Sequence, residues 1–149
     1  MKIAQYGTAV VIVHTIIHGL HGLAHVEIPI PLSPFQTAFV GTIIGPIPIL
    51  SAILLWTRFY RAGSWLLFCS MASAGLFGVY NHYMIISSDH VSQVLSVGWG
   101  LLFHITAFLI LVVDGIGCGI GLWALRPLSQ EENVDLVHGS DLNSTASSK

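Results

Sequence analysis

Residues 14–25 read HTIIHGLHGLAH, inside a stretch from Ile3 to Val26 that is otherwise apolar and about as long as a bilayer crossing requires. On a helix turning about 100° per residue, His14, His18, His21 and His25 fall within one stripe about 60° wide. Four imidazoles on one face of a membrane helix each need a polar partner, because an unpartnered polar side chain in hydrocarbon costs a few kcal/mol. The stripe therefore predicts a transmembrane helix whose histidine face looks into a bundle.

The rest of the chain supports that reading. Of 149 residues, 54% are hydrophobic and 8% charged, and the mean hydropathy is +0.79, far from the roughly one-quarter charged content of soluble domains. Three more apolar segments follow, Phe35 to Trp56, Gly63 to Ile86, and Val94 toward Leu125. The expected fold is all-α, an integral membrane four-helix bundle over residues 1–126, with a polar, Ser-rich cytoplasmic tail at 127–149. Lys2, Arg58, Arg61 and Arg126 all fall on one side of this topology, so the positive-inside rule predicts both termini in the cytoplasm (N-in/C-in). A cleavable signal peptide is the competing reading of the first segment, and four histidines fit its apolar core poorly. The sequon at Asn143 then lies on the cytoplasmic side.

Small residues mark the packing faces, since close backbone approach drives association in lipid. Ser70, Ala74, Gly78 and His82 recur every fourth residue, which points His82 into the bundle; Gly100, His104 and Ala107 repeat the pattern. At about 1.5 Å per residue, His21 and His82 lie at similar depth in the outer half. Gly41-x-x-x-Gly45 followed by Pro46 and Pro48 predicts a kink in the second helix. Asp114, followed by glycine at 115, 117, 119 and 121, is read as interfacial, because alternate glycines weaken a helix.

Neutral imidazole ligates copper, zinc and iron, and two histidines four apart on a helix can share one ion. The candidate metal ligands are His14, His18, His21, His25, His82 and His104. The alternative cofactor is haem b, with His82 and His104 as its axial pair, each one turn from a glycine. Few carboxylates lie in the outer half, only Glu27 and Asp89 at its rim, which disfavours magnesium and calcium. Cys69 and Cys118 form no C-x-x-C pair and read as packing residues. Ser87-Ser88-Asp89-His90 reads as an outer loop, because neighbours in sequence do not converge as a triad must. The chain lacks the H-x-x-H-H box of membrane desaturases and hydroxylases, so its H-x-x-x-H spacing is not assigned to them.

The expected function is to hold haem or a transition metal in the outer half of the bilayer, for electron transfer or an oxidoreductase reaction. Two other readings stay open: a proton or metal-ion transporter, and a non-catalytic subunit or assembly factor. The expected partners are the lipid bilayer and a membrane protein or second copy of the chain. No phosphate-binding glycine loop or basic patch points to nucleotide or nucleic acid.

Overall fold

The computed structural model describes residues 2–126. The expected tail at 127–149 and its Asn143 sequon lie outside them. Among the described residues, four helices are long and apolar enough to cross a membrane: α1, Lys2–Glu27; α2, Pro34–Leu54; α3, Tyr60–Met84; and α4, Trp99–Leu125. The element order is that expected from the sequence, with boundaries shifted by a few residues. Helix α4 packs against α1 and α3, and the second half of α2 packs against α3 and α1.

Local chemistry sets the helix ends. Pro29 and Pro31 follow α1 and cannot extend its hydrogen-bond ladder. Ser33 starts α2 with a capping box: its side chain accepts from the Gln36 N–H, while the Gln36 side chain accepts from the Ser33 N–H. Within α2 the turn widens to a π-helix over Val40–Ile44, where the Gly45 N–H reaches back to the Val40 carbonyl at 2.9 Å. Pro46 and Pro48 come next, so the expected irregularity at GPIP takes the form of a widened turn with missing backbone donors. Helix α3 also ends in a π-turn, Tyr80–Met84, with His82 at its centre. Gly98, at φ +54°, makes the entry into α4, a left-handed conformation that glycine adopts without a Cβ penalty.

The interfacial reading of Asp114 is corrected. Helix α4 is continuous for 27 residues, and Asp114 is only 1% exposed near its middle. The glycines after it divide by face. A Cβ on Gly117 would lie 2.7 Å from Met71 Cγ, and one on Gly121 would lie 2.9 Å from the Phe68 backbone nitrogen, so these two permit the close approach of α3. Gly115 and Gly119 face outward with no neighbour in reach. The glycine run is a packing surface on one side, and the helix continues through it.

The interior has two unlike halves. Toward Arg58 and Arg61, an apolar core joins Val10, Val11, Leu55, Leu67, Met71 and Val113. Toward the α1–α2 and α3–α4 loops, the histidines fill the interior. The segment from Ile85 to Gly98 folds over that end, where Val91 and Val94 pack on a second apolar cluster of Ala24, Ile30 and Phe103.

Candidate metal centre

The α1 stripe divides into two groups. His21 and His25 meet His82 of α3, and His14 and His18 meet Asp114 of α4; within each group the potential ligand atoms lie within 4.8 Å of one another.

In the first group three Nε2 atoms converge. His21 Nε2 is 3.2 Å from His82 Nε2 and 3.2 Å from His25 Nε2. The opposite ring nitrogens fix the protons. The Thr106 hydroxyl donates to the Leu102 carbonyl at 2.7 Å, so its oxygen accepts from His21 Nδ1–H at 2.8 Å. His82 Nδ1–H donates to the Asp89 carbonyl at 3.0 Å. When both imidazoles are neutral they are thereby held as Nδ1–H tautomers, with Nε2 lone pairs facing each other. A proton on His25 Nε2 can answer only one contact, and the His21–His82 pair still sets lone pair against lone pair. A cation between them removes that repulsion. Two nitrogens bound about 2.0–2.1 Å from a tetrahedral metal stand about 3.3–3.4 Å apart, close to the separations seen here. Bonding the outer nitrogen of each histidine to a hydroxyl or carbonyl is also how metal-ligating imidazoles are oriented.

The surroundings complete the site. His21, His25 and His82 are all buried. Phe103 is fully buried and places its ring centroid 4.9–5.3 Å from all three imidazoles, closing one side. The capping loop buries Asp89, whose Oδ1 lies 3.2 Å from His25 Nε2 and 3.1 Å from His82 Nδ1 without a well-aligned hydrogen bond. A cavity of about 520 Å³ runs beside the imidazoles from His18 to His25, walled by Ala74, Phe77 and Gly78 of α3.

In the second group His14 and Asp114 are almost wholly buried and bonded, Nδ1 to Oδ1, at 2.8 Å. His14 Nε2–H donates to the Ile44 carbonyl at 3.2 Å. That carbonyl is free because its α-helical donor would be the N–H of residue 48, a proline. Gly75 of α3 faces Asp114, with the carboxylate Cβ 3.5 Å from where a glycine Cβ would stand.

Five of the six expected ligands are thus brought into two groups. His104 belongs to neither; its Nε2–H donates to the Val94 carbonyl at 2.9 Å and tethers the capping loop. His82 and His104, the expected haem pair, each direct a ring N–H to a loop carbonyl. The scarcity of carboxylates expected from the sequence is also revised, since Asp89 and Asp114 stand beside the two groups. Sequence reasoning missed Phe103 and the Ile44 carbonyl as site elements; a proline four residues after Ile44 was the signal for the second.

Comparison with protein-family models, curated proteins and solved structures finds no match.

Proposed function

We propose that the chain is an integral membrane protein that binds a transition metal, copper, iron or zinc, through His21, His25 and His82. The metal serves electron transfer or an oxidoreductase reaction in the half of the bilayer away from Arg58 and Arg61. The observation that carries this reading is the convergence of three buried Nε2 atoms while the Nδ1 protons of His21 and His82 are held outward. An all-imidazole donor set suits copper, zinc and iron, and a one-electron role selects copper or iron. The cavity along His18 to His25 gives a small molecule or electron-transfer partner access to the imidazoles.

The transport reading has less support. Below Asp114 the buried hydroxyls of Ser51 and Ser70 donate to carbonyls of their own helices, and the Val10, Leu67 and Met71 core follows. The polar column has one open end, which suits a resident metal better than a through path.

The test is elemental analysis and absorption spectroscopy of the purified full chain in detergent after exposure to copper, iron or zinc. Bound metal in the parent chain, with His82→Ala weakening its binding at this group by more than about 100-fold, is expected, because loss of a direct ligand exceeds the 10–100-fold typical of outer-shell changes. A parent chain that takes up none of these metals contradicts the proposal.

A further inference from the structure

We infer that His14, His18 and Asp114 form a second metal site, at mid-membrane depth, with a donor set of two imidazoles and one carboxylate. It is separate from the trihistidine group and does not depend on that group binding metal.

Two buried atoms point to it. His18 Nε2 and Asp114 Oδ2 have no hydrogen-bond partner and stand 4.0 Å apart, with the Asp114 side chain only 2% exposed. One proton shared between His14 Nδ1 and Asp114 Oδ1 accounts for their 2.8 Å contact and leaves these two atoms unanswered. A single cation among His14 Nδ1, His18 Nε2 and the carboxylate answers all of them. Cis ligands about 2.1 Å from an octahedral ion stand about 3.0 Å apart, and tetrahedral ones about 3.4 Å. The observed contacts of 2.8 and 4.0 Å bracket those values, so small side-chain shifts complete the site.

The positioning is already in place around it. Pro48 frees the Ile44 carbonyl, that carbonyl holds the proton on His14 Nε2, and Nδ1 is thereby the ligating atom. Gly75 of α3 faces the carboxylate across the α3–α4 contact. The rings of His14 and His18 lie 4.2 Å apart between centroids on successive turns of α1, presenting both to the same side. Two histidines and one carboxylate match the donor class that holds non-haem ferrous iron with open coordination positions, and the same donors also take zinc or cobalt. The second group is thus a harder N,O site beneath a softer all-nitrogen one.

Cobalt(II), whose visible spectrum reports on its ligands, tests this when titrated into the purified full chain in detergent. With both groups loaded, two equivalents are expected in the parent chain and one in Asp114→Asn, so in either case this substitution removes one. In His18→Ala, which leaves the His14–Asp114 bond in place and guards against a folding defect, one equivalent weakens at least about 100-fold. Full stoichiometry and affinity in both variants overturns the second site and shows that His14 and Asp114 share only a proton. Failure of the trihistidine reading is seen separately, as a single equivalent in the parent chain that Asp114→Asn removes and His82→Ala leaves in place.

Discussion

The two halves of this bundle are built from the same four helices and held together by different means. Toward Arg58 and Arg61, α3 and α4 pack closely, with Gly121 against the Phe68 backbone and Gly117 against the Met71 side chain. Toward the opposite end, side-chain hydrogen bonds join the helices, His14 to Asp114 and to Ile44 and His21 to Thr106, while His82 holds the capping loop at the Asp89 carbonyl. Lipid gives no hydrophobic drive for helix association, so a membrane bundle must use close packing, polar bonds or both. Here the two devices occupy opposite ends of the bundle. The packed half fixes where α3 lies on α4, and the polar half uses that alignment to bring His82 to His21.

Substitutions that attack one half and spare the other sharpen this contrast. Gly121→Leu carries the largest expected effect on stability. A side chain there meets the Phe68 backbone, which cannot swing away as a flexible side chain can, and the loss is about 3 kcal/mol by thermal unfolding followed by circular dichroism. Thr106→Val acts on the other half. It leaves His21 Nδ1–H without its acceptor, costs about 1–3 kcal/mol in stability, and lowers metal affinity 10–100-fold in competitive titration against a chelator. Pro48→Ala restores a backbone donor that competes with His14 for the Ile44 carbonyl. Its expected effect is about a tenfold weaker second equivalent of cobalt, with the first unchanged. Gly115→Leu, facing outward with no neighbour in reach, is expected to change stability by less than about 0.5 kcal/mol. Equal damage from Gly115→Leu and Gly121→Leu would break the distinction between the faces of α4.

Much of this arrangement was legible in the residues. Apolar length identified the four helices, and the small-residue stripe ending at His82 placed that imidazole inside. Depth along the helices matched His21 with His82, whose Nε2 atoms lie 3.2 Å apart. The division of the α1 stripe was not legible, because periodicity says which face four histidines share and nothing about which neighbour each one meets. The place of Asp114 is not legible from glycine propensity without the partner helix: Gly117 and Gly121 weaken an isolated helix and strengthen a packed one. The capping loop was the least legible part. Asp89 and Val94 reach the histidines through loop backbone whose path no sequence spacing encodes, and Val94 engages His104.

X-ray absorption at the metal edge of the purified full chain, loaded with one equivalent of copper or zinc, reads the ligands of the trihistidine group. A first shell rich in imidazole nitrogen near about 2.0 Å is expected, with outer-shell scattering from the rings that falls when His82 is replaced by alanine. A first shell of oxygen alone, without imidazole scattering, would contradict metal binding at that group.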